Sequence, residues 1–244
     1  MRRFFIHPEI AINDEILLSS QESRHISKVL RLPLGERLQL LDGNGNIHTC
    51  EIISLSKQIR LHILSSEHVQ GNAVPLRVYQ SVLKGQKMEL LVQKCTELGA
   101  TEFTPFSSER CQLKKTELSK LLKKHERWQR IIEEACKQCN NPIMMRLNPL
   151  LSFDEMLVQQ KKSVQKILFW EEEPLENSLH SCSLREDSAG MQIVFGPEGG
   201  FPSAEVEAAK KEEFQILSLG PRILKAETAN IAAVSIVQHL LGNM

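Results

Sequence analysis

The chain has 244 residues, 41% of them hydrophobic, which is enough for one large domain or two small ones. Its 30 Lys and Arg residues balance its 30 Asp and Glu residues, which excludes a protein that attracts nucleic acid through its overall charge. Six cysteines, no recognisable secretory signal and no apolar run of about 18 residues predict a cytoplasmic protein with free thiols and no membrane span.

The N-terminal part of the chain is predicted to be mostly β-strand. Residues 42–46, DGNGN, indicate a hairpin turn, because Gly and Asn adopt positive φ angles at little cost. One helix is predicted over residues 19–31, where Ile26, Val29 and Leu30 share one face at helical spacing. These elements predict a small β-barrel-like module over residues 1–72. Its strands are expected at RRFFI, EILLS, RLQLLD, IHTCEIISL and QIRLHILSS.

Strands and helices alternate in the rest of the chain. Residues 70–75, QGNAVP, read as a linker, so a second domain is predicted at residues 73–244. Alternation implies an α/β domain with a parallel sheet covered by helices on both faces. Ligands of such sheets bind beyond the carboxyl ends of the strands. The expected strands are LRVYQSVL, TEFTPF, MMRL, KILFWEE, MQIVF and FQILSL. The expected helices are QKMELLVQKCTELG, residues 116–139, SFDEMLVQQ, and the segment after each of the last two strands. Gly99 is expected to end the first of these helices.

Two glycine-containing loops follow the last two predicted strands. GPEGG and LGPR match neither the P-loop pattern nor the dinucleotide-binding pattern, which argues against a phosphate-binding loop. Gly196, Gly199, Gly200 and Gly220 let backbone groups approach a ligand closely.

The side chains of these loops favour a ligand with both apolar and cationic parts. Leu219, Ile223 and Leu224 offer apolar walls, while Glu198 and Glu227 tolerate a positive charge. An adenosyl group that carries a sulfonium fits this set better than ATP does. The alternative is a pair of ordinary strand-to-helix turns in which Gly and Pro only shape the backbone.

The middle of the chain is basic despite the neutral total. Residues 77–146 contain 14 Lys and Arg residues against 8 Asp and Glu residues, which favours contact with phosphates. Cys136 and Cys139 form a single C-x-x-C pair without a second ligand pair, so no metal site is predicted.

IVFGPEGGF and LGPRILKAETA resemble the two signature loops of the SPOUT methyltransferases. More narrowly, the chain is similar to the small-subunit ribosomal RNA uridine N3-methyltransferase family, commonly called RsmE. KGQKMELLVQKCTELGATEFTPFSSER at residues 84–110 resembles that family's first catalytic-domain helix and second strand. RRFF and RHISKVLRL resemble its N-terminal PUA-like module.

The resemblance implies a C-terminal domain with a trefoil knot and a homodimer with the pocket near the subunit interface. It implies methylation of N3 of one uridine in the decoding region of 16S rRNA, in the 30S subunit. It also implies S-adenosyl-L-methionine as the cofactor, whose activated methyl group needs no metal. The residues expected to bind the cofactor are Phe195, Gly196, Pro197, Glu198, Gly199, Gly200, Leu219, Gly220, Ile223, Leu224 and Thr228.

Two residues are candidates for catalysis. Arg222 could stabilise the developing uracil anion, although a phosphate clamp or a dimer contact would also suit an Arg. Glu227 could accept the N3 proton or stabilise the start of the last helix, and water could replace it as the proton acceptor.

Other basic residues are expected to contact rRNA phosphates and sugars, although solvated surface charge would look the same in the sequence. They are Arg2, Arg3, Arg24, His25 and Arg31 in the N-terminal module, and Lys84, Lys87 and Arg110 in the C-terminal domain.

One position departs from the family pattern. The long helix ends in Gln138, Cys139, Asn140 and Asn141, and Asn141 stands where the family commonly has Arg.

Two other functions remain open from the sequence. The first is another SPOUT methyltransferase that acts on a ribose 2′-OH or a different base; the PUA-like module and KGQKMELL argue against it. The second is a non-catalytic rRNA-binding assembly factor, against which the intact loop glycines argue.

Overall fold

The structure is a computed structural model and describes residues 1–6, 11–12, 14–111, 115–159, 164–182 and 189–244. It divides into two compact units. The first comprises Met1–Gly71 and Cys136–Met144, and the second comprises Asn72–Ala135 and Met145–Met244.

The first unit is built on a mixed six-stranded sheet. Its strands are β1 (Arg2–Phe5), β2 (Ala11–Ile12), β3 (Glu15–Leu17), β4 (Arg37–Leu41), β5 (Asn46–Ser54) and β6 (Arg60–His68). The strand order is β1-β4-β5-β6-β3-β2; β1 lies parallel to β4, and the other neighbours are antiparallel. The five predicted strands are confirmed, and the short strand β2 is additional.

The helix of the first unit changes type along its length. It starts as α1 (Ser20–Arg24), continues as a π-helix over His25–Leu30, and ends at Arg31, whose φ of 52° is left-handed. Ile26 is buried, whereas Val29 is 68% exposed. The expectation that Val29 shares the face of Ile26 is wrong, because the i→i+5 bonds of a π-helix rotate it away.

A fully parallel sheet forms the second unit. Its strands are β7 (Leu76–Ser81), β8 (Glu102–Ser107), β9 (Arg146–Leu147), β10 (Leu151–Ser152), β11 (Gln165–Phe169), β12 (Met191–Phe195) and β13 (Gln215–Leu217). The order is β10-β8-β7-β12-β11-β13, with β9 also paired to β8. The predicted parallel α/β sheet is confirmed, and the trefoil knot stays a prediction.

Five α-helices of the described chain accompany this sheet, together with a short 3₁₀-helix at Leu179–Ser181. They are α2 (Lys87–Glu97), α3 (Lys115–Cys139), α4 (Phe153–Val158), α5 (Ser203–Lys211) and α6 (Ala226–Leu240). Gly99 follows α2 with a φ of +76°, and its N–H bonds to the carbonyl of Thr96, which confirms it as the residue that ends the helix. Within the described residues, none of the helices combines the length and the apolarity that crossing a membrane requires.

The central strand β12 fixes where a ligand can bind. All five of its residues are buried, and β7 and β11 flank it. Tyr79, Phe106, Phe201 and Val206 belong to the apolar cluster packed on this sheet. Since neighbouring parallel strands end at the same edge, the segments after β11, β12 and β13 lie close together there.

Candidate active site

A cavity of about 330 Å³ lies at the carboxyl ends of β11, β12 and β13. Phe169 and Phe195, the last residues of two neighbouring strands, line it and stack with 5.2 Å between ring centroids. The other lining residues come from the segment after β11, the two glycine loops, the start of α6, and Lys87 of α2.

The first loop requires glycine at position 200. Gly200 has a φ of +66°, and a Cβ atom there would collide with the carboxylate of Glu171. Trp170 donates its indole N–H to the carbonyl of Phe201 at 3.2 Å, which ties the end of β11 to this loop. The loop therefore packs directly against the segment that follows β11.

The second loop is more open. Gly220 has a φ of +109° with free space around its Cα atom, so it is required for backbone conformation rather than for a close approach. Ile223 is 84% exposed, while Leu224 is half-buried. The hydroxyl of Ser218 is buried at the cavity and lacks a hydrogen-bond partner among the described residues.

Lys87 connects the first glycine loop to the start of α6 through two ion pairs. Its Nζ lies 3.1 Å from Oε1 of Glu198 in the first loop and 3.5 Å from Oε2 of Glu227 at the start of α6. Burial raises the pKa of Glu198. Hydrogen bonds from backbone N–H groups, including that of Lys84, and the ammonium group of Lys87 lower it by more, so the pKa of Glu198 lies below the ordinary value. The hydrogen bond to Glu198 raises the pKa of Lys87. The carboxyl groups of Glu198 and Glu227 thus share the ammonium group of Lys87.

Three polar side chains that sequence reasoning missed lie behind the first loop. Gln80 of β7, Asn230 of α6 and Cys95 of α2 are fully buried and hydrogen-bonded in a row, and Gln80 also donates to the carbonyl of Gly196 at 3.0 Å. Their signal in the sequence is a polar residue inside an apolar stretch, Gln80 in LRVYQSVL and Asn230 in ANIAAVS.

Most of the residues expected to bind the cofactor or catalyse the reaction line this cavity. Gly199 lies outside the lining, and its carbonyl accepts a hydrogen bond from Arg110 at 3.0 Å. Thr228 is exposed and also lies outside the lining that the described residues form. The lining includes Phe195, Gly196, Pro197, Glu198, Gly200, Leu219, Gly220, Arg222, Ile223, Leu224 and Glu227.

The basic residues expected to contact RNA separate into different settings. Lys87 lines the cavity in its ion pairs, whereas the Lys84 side chain and Arg110 are exposed in the same unit. In the first unit, Arg2 donates to the carbonyl of Leu30 at 3.4 Å, which places it beside the π-helix.

The other basic residues of the first unit lie on the same two elements. The ring of His25 lies edge-on to Phe4 of β1, at 6.2 Å between centroids. Arg3 donates to the side chain of Gln39 at 2.9 Å, and Arg24 and Arg31 are exposed. Strand β1 and the helix therefore bring the expected N-terminal residues to one region of the first unit.

Asn141 has a local structural contact. Its Oδ1 accepts a hydrogen bond from the backbone N–H of Ile143 at 3.0 Å, so it shapes the turn after α3. In the same unit, the buried thiol of Cys136 donates to the carbonyl of Ile143.

Comparison with known proteins gives matches over almost the whole chain. An RNA methyltransferase domain model matches residues 70–238, and an RNA methyltransferase PUA domain model matches residues 18–63. Ribosomal RNA small subunit methyltransferase E of Bacillus subtilis (strain 168) is 32% identical, over 98% of this chain and 96% of that protein.

Solved structures agree with these matches. The crystal structure of a ribosomal RNA small subunit methyltransferase E from Neisseria gonorrhoeae bound to S-adenosyl methionine has a TM-score of 0.86 at 29% identity and covers 98% of each chain. A putative methyltransferase from Legionella pneumophila in complex with S-adenosyl methionine has a TM-score of 0.85 at 30% identity and covers 98% of this chain and 97% of its own.

Proposed function

The chain belongs to the RNA methyltransferase family that includes ribosomal RNA small subunit methyltransferase E, and from this premise we propose that it methylates 16S rRNA with S-adenosylmethionine as methyl donor. The position we propose is N3 of a uridine in the decoding region of the 30S subunit. The observation that carries the proposal is the cavity that both glycine loops line at the carboxyl ends of β12 and β13.

The residues of the cavity fit this donor. Phe169, Phe195 and Leu219 provide apolar walls for an adenosyl group, and the glycines expose backbone N–H and C=O groups to its polar edges. The cavity lining contains three acidic side chains, Glu171, Glu198 and Glu227, and three basic ones, Lys87, Arg222 and Lys225, so a sulfonium can lie beside a carboxylate without an excess of positive charge to repel it. When bound, the donor supplies a methyl group that is already activated for transfer.

Arg222 is the residue we assign to the uracil anion. N3 becomes nucleophilic only when its proton leaves, and the negative charge then spreads to O2 and O4. Lowering the N3 pKa by ~2 units corresponds to about 2.7 kcal/mol of preferential stabilisation. Arg222 lines the cavity and is exposed, and within the described residues it has no ion-pair partner, so its guanidinium is available for this charge.

Glu227 is a weaker candidate for proton acceptor. Its Oε2 atom lies 3.5 Å from the ammonium group of Lys87, so this oxygen is already engaged by a cation. The single proton released from N3 would pass either to Glu227 or to water.

We further propose that the basic residues of both units bind rRNA and that the protein acts as a homodimer in the cytoplasm, where ribosomes are assembled. Arg2, His25 and Arg31 support an RNA-binding region in the first unit, because they are exposed on β1, on the π-helix and directly after it, and β1 contacts this helix.

Methyl transfer to 30S subunits that lack the modification tests the function. With labelled S-adenosylmethionine, the expected product after nuclease digestion is N3-methyluridine. Label in 2′-O-methyluridine would indicate a different reaction of the same fold. Binding of 30S subunits without any transfer would indicate a non-catalytic assembly factor.

Arg222→Ala tests the catalytic assignment. If Arg222 stabilises the uracil anion, kcat falls on the order of 100-fold while the Kd for the donor, measured by calorimetry, stays within about twofold. Arg222→Lys, which keeps the charge, is expected to recover part of kcat. A large increase in the Kd with unchanged kcat would instead make Arg222 a binding residue.

A further inference from the structure

We propose that Gln80 and Asn230 are positioning residues, whose buried hydrogen-bonded chain fixes the carbonyl of Gly196 and links the first glycine loop to α6. This inference rests on the proposed function, because it concerns how the walls of the donor cavity are held. Neither side chain lines the cavity, so each acts through the backbone of the loop and the helix.

The chain of contacts crosses four elements of one unit. The side-chain N–H₂ group of Gln80 donates to the carbonyls of Ser81 at 2.9 Å and of Gly196 at 3.0 Å. The Oε1 atom of Gln80 accepts from Asn230 at 2.9 Å, and the Oδ1 atom of Asn230 accepts from the Cys95 thiol at 3.3 Å. Burial raises the pKa of the Cys95 thiol, so it stays protonated and remains a donor.

Both donors of the Gln80 amide are in use, so its orientation is fixed. With the amide reversed, its oxygen would face the oxygens of Ser81 and Gly196, and its N–H₂ group would face that of Asn230. Asn230 therefore determines the orientation of Gln80, and Gln80 determines where the Gly196 carbonyl points. All three side chains are fully buried, where water cannot replace a lost bond.

The chain also connects the two walls of the cavity. Gly196 and Glu198 line the cavity from the segment that follows β12, while Ala226, Glu227 and Ala229 line it from the first turn of α6. Asn230 lies one turn along α6 from Ala226. A loss of the Asn230 bond thus removes the buried link between the loop and the helix and leaves the partly exposed ion pairs of Lys87 with Glu198 and Glu227 to connect them.

Asn230→Ala tests the inference. The Kd for S-adenosylmethionine is expected to rise about tenfold, and kcat at saturating donor is expected to stay within about twofold, since the reacting groups are intact. Cys95→Ala removes only the terminal donor of the chain and is expected to raise the Kd about two- to threefold. Because this substitution is small, it also tests the inference if Asn230→Ala does not fold.

Gln238→Ala is the matched control on the same helix. Gln238 is a fully buried amide whose Nε2 donates to the carbonyl of Leu98 at 2.7 Å and whose oxygen accepts from Asn243. Its loss is expected to lower Tm by a similar amount without changing the Kd for the donor, since Gln238 lies more than two turns along α6 from Asn230.

A double-mutant cycle completes the test. If Gln80 and Asn230 act as one unit, Gln80→Ala combined with Asn230→Ala weakens donor binding no more than the stronger single substitution. Additive effects would overturn the inference, as would folded Asn230→Ala and Cys95→Ala variants that bind the donor like the unchanged protein. If the unchanged protein itself does not bind the donor, the proposed function fails, which is a separate outcome.

Discussion

Gly200 shows how a single residue determines the shape of the first loop. Its left-handed φ of +66° is costly for any residue with a side chain, and the carboxylate of Glu171 occupies the space next to its Cα atom. Glu171 itself lines the cavity. A side chain at position 200 therefore strains the backbone and also displaces a residue of the cavity wall.

Gly200→Ala is expected to lower the free energy of unfolding by about 1–2 kcal/mol, because a left-handed backbone is strained at a residue with a Cβ atom. It is also expected to weaken donor binding, because Glu171 must move. Gly242→Ala is the matched control, since Gly242 has a φ of +70° with open space around it. Urea denaturation should show a loss of stability in both variants, while calorimetry should show weaker donor binding only in Gly200→Ala. Equal donor binding in the two variants would contradict this role of Glu171.

The two glycine loops, which line the cavity, could be picked out from the sequence because their motifs resemble a known family; their role in cofactor binding stays a prediction. Gln80 and Asn230 could not be assigned, since a polar residue in an apolar stretch does not reveal its partner. Lys87 was expected to contact RNA, whereas the structure places it within 4 Å of two carboxyl groups, those of Glu198 and Glu227. The sequence does not indicate these ion pairs, because both partners follow Lys87 by more than 100 positions.

At the scale of elements, the helix of the first unit has a feature that periodicity did not predict. Its second half is a π-helix, and Arg31 ends it in a left-handed conformation with a φ of 52°. Glycine is the usual residue at such an end, so an Arg in this conformation lowers the free energy of unfolding. Strained residues are often found at functional sites, and the strain at this exposed basic residue is consistent with an RNA contact.

Arg31→Gly tests the effect of Arg31 on stability separately from its contact with RNA. The substitution is expected to raise the free energy of unfolding by about 0.5–1 kcal/mol, because the left-handed strain is removed, and to weaken binding to 30S subunits several-fold. Glu213→Gly is the control: Glu213 also has a left-handed φ, of 63°, but it follows α5 in the other unit. Filter binding should distinguish the variants, and unchanged RNA affinity in Arg31→Gly would exclude Arg31 from the contact.

The other elements differ in how far the sequence could predict them. The strands of five residues or more, and α2 with its terminal Gly99, carry enough periodicity to be recognised, and all were predicted. Strands β2 and β10, with two residues each, were missed because so short a stretch has no alternating pattern, and only their pairing with β3 and β8 defines them.

At the scale of the whole molecule, the candidate site is a product of long-range contacts. The hydrogen bonds from Gln80 to Gly196 and from Asn230 to Gln80 join residues 116 and 150 positions apart. Neighbouring strands of a parallel sheet are connected by long crossovers, usually through a helix, so residues that meet at one edge of the sheet are far apart in the sequence. The α/β class therefore predicts where the site lies, but not which side chains meet there.

The proposed homodimer depends on the outer face of α6. Ile236 and Leu240, four residues apart, are 46% and 47% exposed on a helix whose other face is buried. Large apolar side chains at this spacing are typical of a helix face that a second protein covers. The first turn of α6 lines the cavity, so a second subunit on this helix would also restrain the cavity wall.

Ile236→Glu is expected to raise the dimer Kd on the order of 100-fold, because burying an unpaired carboxylate at an apolar interface is costly. Val158→Glu, which places the same charge at a residue that is 75% exposed on α4, should leave the assembly unchanged. Light scattering at micromolar concentration distinguishes the two. If the unchanged protein is a monomer, or if Ile236→Glu remains a dimer, this face of α6 is not the interface. If Ile236→Glu is a folded monomer that still binds S-adenosylmethionine normally, each cavity is complete within one subunit.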